Sequence, residues 1–148
     1  MPEEETVEWA REDEREGLSP STQAGEFVRE EMEHIREREH GARSPQQAIA
    51  IGLSKARRAG VKLPPPKRGK TRTKRQAKRD LVKGHRARRK KSSRTRSRAG
   101  RGALKRERRS AASRKALSRQ ARSTAKRHSR PSRSAAAKKA ARTRKRRH

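Results

Sequence analysis

The sequence predicts a small all-α protein: a two-helix hairpin over residues 19–63 that carries a long, intrinsically disordered polycationic tail over residues 67–148. Apolar residues recur at helical spacing only between Ser19 and Leu63. Charge is partitioned just as sharply. Residues 67–148 hold 37 Lys or Arg against two acids, Asp80 and Glu107, a net +35, whereas residues 1–66 hold 10 bases and 14 acids, a net −4. Beyond Ala, the tail's only hydrophobic side chains are Leu81, Val82, Leu104 and Leu117. Like charges at that density repel, and so little apolar surface cannot offset the entropy of ordering the chain.

Residues 1–18 form an acidic leader with eight carboxylates against Arg11 and Arg15, predicted to be disordered or weakly helical, with Trp9 alone among charges. The first helix begins among Ser19, Pro20, Ser21 and Thr22. On a 100° wheel Ala24, Phe27, Val28, Met32 and Ile35 share one arc, and Gly41 is its expected stop. Ser44-Pro45-Gln46-Gln47 opens the second helix, with Ser44 as N-cap, Pro45 at the first helical position where no N–H is missed, and Gln47 completing a capping box. Gly60 ends that helix, Arg57 and Arg58 complementing the dipole in its last turn. Its stripe of Ala48, Ile49, Gly52, Leu53, Ala56 and Ala59 is mostly small, which lets another helix approach closely. A hairpin of this size seldom has a sufficient core. Ile51, on the opposite side of the wheel, therefore makes a homodimer through the hairpin an expected partner arrangement. Pro64-Pro65-Pro66 is a stiff linker to the tail.

Little of this is compatible with catalysis. No Gly-rich phosphate loop, Cys pair or zinc-finger spacing is present, and the chain lacks the mass for a pocket of convergent titratable groups. Glu31-x-x-His34 has the helical spacing of di-metal carboxylate bundles, but those need a second such motif and two more Glu, and the second helix offers no acid. His34 and His40 then read as surface residues. The sequence thus predicts no enzyme activity, no metal and no cofactor. No apolar run approaches the length of a membrane span, so a membrane is not an expected partner.

A polyanion is the expected partner, and DNA is the abundant one: a Lys/Arg tail that displaces condensed counterions binds it without reading sequence. The candidate phosphate contacts are Lys67, Arg68, Lys70, Arg72, Lys74, Arg75, Arg86, Arg88, Arg89, Lys90, Lys91, Arg106, Arg108, Arg109, Lys138, Lys139, Arg144, Lys145, Arg146 and Arg147, with Arg57 and Arg58 as further contacts from the hairpin. Ala, Arg and Lys are good helix formers, so residues 102–125 are expected to coil into helix once phosphate neutralises them. The tail has no aromatic residue for base stacking.

The stretch His40-Gly41-Ala42-Arg43-Ser44-Pro45-Gln46-Gln47-Ala48-Ile49-Ala50-Ile51-Gly52-Leu53-Ser54-Lys55-Ala56-Arg57-Arg58-Ala59-Gly60-Val61-Lys62-Leu63-Pro64-Pro65-Pro66, with Glu26-Phe27-Val28-Arg29-Glu30-Glu31-Met32 before it, resembles a small bacterial family of unknown function. Members of that family pair this block with a Lys/Arg/Ala-rich extension, and some are labelled DNA-binding or plasmid-stabilisation proteins. The resemblance implies a nucleoid or plasmid role. In composition, the tail is similar to the extensions of linker-histone-like proteins. The expected function is sequence-tolerant DNA coating or condensation, in the cytoplasm at the nucleoid. The alternatives are an RNA- or ribosome-associated protein, or a protein-docking adaptor held near the nucleoid by its tail.

Overall fold

The structure, a computed structural model, describes residues 2–85, 93–128 and 130–146, the side chains at 130, 133, 143 and 146 excepted. All regular structure among them is helical: α1 (Glu4–Arg15), α2 (Pro20–Arg36), α3 (Pro45–Ala59), α4 (Thr71–His85), α5 (Arg94–Lys105), a 3₁₀ turn (Ser110–Ala112), α6 (Arg114–Arg127) and α7 (Arg130–Arg146).

This corrects two expectations, a leader with little structure and a two-helix hairpin trailing a disordered tail. Helix α1 forms in the acidic leader because Glu4 and Glu5 sit at the positive end of its dipole and Arg15 at the negative end. It buries Thr6, Ala10 and Asp13 at helical spacing and packs on α2. Trp9 is 39% exposed, and the Arg29 guanidinium lies 5.0 Å from its ring centroid, so a cation–π contact ties the ring to α2.

Helices α2 and α3 pair as the wheel predicts. Ala24, Phe27, Met32 and Ile35 of α2 are buried against Ala48, Gly52 and Ala56 of α3. At Gly52 the two backbones nearly touch: a Cβ there would meet the Val28 Cα at 2.8 Å and the Phe27 carbonyl oxygen at 2.9 Å. The caps of α3 also match. Ser44 Oγ accepts from the Gln47 N–H at 3.3 Å, and Gly60 closes the helix with φ of 111°. The Gln47 side chain, however, accepts from the N–H of Arg43 rather than from that of Ser44. Helix α2 stops at Arg36, five residues before Gly41, through Glu37 and a left-handed Arg38 (φ 71°). Ile51 is half-buried rather than wet.

Two apolar clusters hold the molecule. One joins Ala10, Ala24, Phe27, Ala56 and Val61; the other joins Met32, Ile35, Ala42 and Ala48 to Ala111 and Ala112, with Leu117 against it. The tail therefore completes the core of the amino-terminal part. A count of large apolar residues understates its contribution because, beside Leu81 and Leu117, the docking surface is made of alanines, close glycine contacts and the buried Asp80.

Candidate nucleic-acid interface

The first tail contact is made by α4. Ala77, Asp80, Leu81 and Gly84 share one face at spacings of three and four residues, and Asp80 is buried to 1% exposure against α3. There the carboxylate accepts from Ser54 Oγ at 2.7 Å, Arg58 Nε at 2.8 Å and Gln76 Nε2 at 3.0 Å. Burial alone would push the Asp80 carboxyl up, but the Ser54, Arg58 and Gln76 hydrogen bonds outweigh it and hold the group below the usual carboxylate range. One turn later α4 runs so close to the end of α3 that a Cβ on Gly84 would collide with the Arg57 carbonyl oxygen.

The second contact is the loop after α5. The Gly41 N–H donates to the Leu104 carbonyl at 2.9 Å and the Ala42 N–H to the Arg108 carbonyl at 2.8 Å. Arg36 Nε reaches the Ala112 carbonyl at 3.4 Å, and Arg43 Nε lies 3.9 Å from Glu107 Oε1. Gly41, the expected helix stop, serves this approach instead, since a Cβ there would run into the Glu107 carbonyl. Both acids of the tail are thus met by arginines of residues 1–66.

Replacing Asp80 by Asn tests the first contact. A depressed folded-state pKa means stability that is fully present above the unfolded Asp value, near 3.9, and is lost as pH falls through the folded value. Arg58 is half-exposed and adds little, so losing charge on the acceptor for Ser54 and Gln76 should weaken α4 docking by about 2 kcal/mol. Amide exchange across α4 should then be roughly 30-fold faster at neutral pH, and the loss of protection on acidification below about pH 4 should shrink. Unchanged exchange over Thr71–His85 would remove Asp80 from the docking.

The predicted phosphate contacts fall in separate places. Lys67, Arg68, Lys70, Arg72 and Arg75 are exposed in the segment before α4 and on α4 itself, where Lys74 is half-covered. Arg106, Arg108 and Arg109 project from the pinned loop after α5, and Lys138, Lys139, Arg144 and Lys145 from exposed positions on α7. Arg86, Arg88, Arg89, Lys90, Lys91 and Arg147 lie outside the described residues, as does the side chain of Arg146. Arg57 is not on an exposed face. It is 7% exposed, its guanidinium donates to the carbonyls of Leu63, Pro64 and Leu53, and burial pulls its pKa down despite nearby Asp80. Arg57 thereby ties the start of the proline segment to α3. Arg58 is turned to Asp80.

A further basic surface lies outside the expected contacts. Lys115, Arg119, Arg122, Lys126 and Arg127 line one open groove along α6. Spacings of four, three and four residues keep Lys115, Arg119, Arg122 and Lys126 on one helix face, about 17 Å from first to last, while Arg127 stands about 100° round the helix from Lys126. That spacing is readable in the sequence, although a coil reading of the tail hides it. Helix α6 starts with Ser113 Oγ accepting from the Ala116 N–H at 3.2 Å and buries no residue of its own.

A different electrostatic site lies between α2 and α3. Lys55 Nζ sits 2.7 Å from Glu30 Oε1 and 2.8 Å from Glu31 Oε2, with both carboxylates almost fully buried. Burial would raise Glu30, but Lys55 and the Glu3 N–H outweigh it and hold the carboxyl low. Burial would lower Lys55, but Glu30 and Glu31 keep it above its ordinary value. Beside this triad Glu31, His34 and His40 form the one group among the described residues that brings three metal-ligating side chains together. His34 is buried at 8% exposure and the His40 side chain is 14% exposed, so neither is the surface residue the sequence suggests.

No helix among the described residues is long and apolar enough to cross a membrane. Residues 20–68 match a family described as Family of unknown function (DUF6496), which covers α2, α3 and the proline segment. No curated protein and no solved structure matches the chain.

Proposed function

We propose that the protein is a non-enzymatic, sequence-tolerant DNA-binding protein of the nucleoid, in which a compact α1–α4 body carries basic helices that lie along the phosphate backbone. The observation that supports this reading best is the fate of the tail's two acids. Asp80 is bonded by Arg58 and Glu107 lies 3.9 Å from Arg43, so both acids face arginines of residues 1–66 rather than the tail's own 37 cations, and the α6 face sets four of those cations in one row. Such a row suits a string of phosphates and offers nothing to read base edges with.

Binding should therefore fall steeply with salt. If ten cations meet phosphates, log K should drop against log salt with a slope of roughly −9, and unrelated duplexes should bind within a few-fold of one another. Fluorescence anisotropy with two duplexes of unrelated sequence and one RNA hairpin, over a salt series, decides the matter. A slope shallower than about −3, or a hundred-fold preference for one duplex, would sink the reading. A hundred-fold preference for the RNA would replace DNA by RNA as the partner.

A further inference from the structure

The end of α2 and the loop after it hold an arrangement that nucleic-acid binding does not use. Glu31, His34 and His40 each point one ligand atom into a common space, all three within 4.8 Å of one another. His40 Nε2 is 3.4 Å from Glu31 Oε1, which is about the spacing of two donors on one tetrahedral zinc. The two imidazoles stand edge to face, their centroids 6.0 Å apart.

Three features single this group out from an ordinary polar cluster. First, Glu31 is 1% exposed, and although Lys55 is its ion-pair neighbour, neither of its oxygens receives a hydrogen bond of regular geometry. Second, His40 Nδ1 is 3.2 Å from the Gly41 carbonyl. A proton on Nδ1 donated there leaves Nε2 facing the Glu31 carboxylate, an encounter that repels unless a second proton or a metal cation lies between. Metal-binding histidines are oriented in this way, their second N–H held by a carbonyl or carboxylate. His34 has the same provision on one nitrogen, its Nε2 lying 2.9 Å from Glu3 Oε1, while Nδ1 stands 3.7 Å from Glu39 Oε2, beyond hydrogen-bond reach. Third, Lys55 offsets only one of the two buried carboxylates Glu30 and Glu31, leaving a net negative charge beside His34, which itself stands in the last turn of α2 where the helix dipole favours a cation.

We propose that Glu31, His34 and His40 form a site for a divalent transition metal of the zinc class. Two imidazoles and one carboxylate suit that class better than magnesium or calcium, which want oxygen donors alone. Glu31 and His34 occupy one face of α2, and His40 arrives from the connection to α3, so the metal would fasten the end of α2 to the loop whose next two residues hold the tail at Leu104 and Arg108.

Cobalt(II) is the probe, added to the full-length chain prepared without a histidine tag. One equivalent should bind and give the intense visible band of four-coordinate cobalt, and zinc should displace it. His40→Gln should lose more than the roughly 10–100-fold in affinity that removal of an outer orienting group costs, with its helical circular dichroism unchanged. Glu31→Gln should lose at least as much, and His85→Gln should bind as the parent does. Absence of the band in the parent protein at millimolar cobalt would overturn the proposal. So would a band that persists in His40→Gln, or one abolished by His85→Gln.

Discussion

Replacing Lys55 by methionine should destabilise the protein by about 3–5 kcal/mol, because it leaves two adjacent buried carboxylates without their cation. Glu30 and Glu31 are at most 2% exposed at the side chain and Lys55 is 19% exposed, so little solvent screening is available to the unpaired charges. A small domain has only about 5–15 kcal/mol of stability, so the variant should sit close to its unfolding threshold in a urea titration. The pH dependence should also change sign. In the parent, Glu30 is held low, so its contribution is present above the unfolded Glu value and is lost as pH falls through the folded one. In Lys55→Met the Glu30 carboxyl loses the main interaction that opposed burial. Protonation then favours the folded state, and the variant should gain stability as pH falls from neutral toward about 5. Adding Glu30→Gln and Glu31→Gln to Lys55→Met should recover much of the loss, since removing a whole buried ionic group is far less damaging than removing one member. A urea midpoint for Lys55→Met within experimental error of the parent would show that these carboxylates are not buried together.

The same triad shows how far the chain can be read from its sequence. Helices α2 and α3 are legible because their signals are local and redundant: Ser44 and Pro45 at one end of α3, Gly60 at the other, and an apolar arc from Ala24 to Ile35. Glu30, Glu31 and Lys55 look like a solvated face, since a charge in sequence gives no sign of the opposite charge that will bury with it. His40 is beyond such reading for a related reason. Its partner His34 is six residues away across a helix end, and its approach depends on α2 stopping at Arg36 rather than at Gly41.

Composition hides the order of the tail because it treats the residues as interchangeable. Asp80 and Glu107 stand out as its only acids, and as charges they merely lower its net total by two. Their placement carries more than their number. Asp80 lies on one α4 face with Ala77, Leu81 and Gly84, and Glu107 sits in the loop that Gly41 admits. A stripe of small residues around a single acid is a weak hydrophobic signal, yet it is what a helix needs to dock on another stripe of small residues bearing Ser54 and Arg58. The basic side chains remain outside, which is why charge and order coexist here.

That view of α4 predicts opposite outcomes for one substitution made at two glycines of the tail. Gly100 has open space around its Cβ position, so Gly100→Ala should raise the helicity of α5 and stabilise it by about 1 kcal/mol. Gly84, in the last turn of α4, also lies among good helix formers, and propensity alone predicts a gain there too. Its added Cβ, however, would meet the Arg57 carbonyl oxygen directly, with Gly60 Cα 3.4 Å away, and neither backbone can turn aside as a side chain would. Gly84→Ala should therefore weaken docking by about 1–3 kcal/mol. A helix as short as α4, 15 residues, is marginal in water without its packing partner, so part of Thr71–His85 should melt rather than simply swing away. Far-ultraviolet circular dichroism should fall for Gly84→Ala and rise for Gly100→Ala, and exchange protection should be lost over α4 while α2 and α3 keep theirs. If both substitutions raise helicity, α4 is a solvated helix in the free protein, and Asp80 and Gly84 do not anchor the tail to α3.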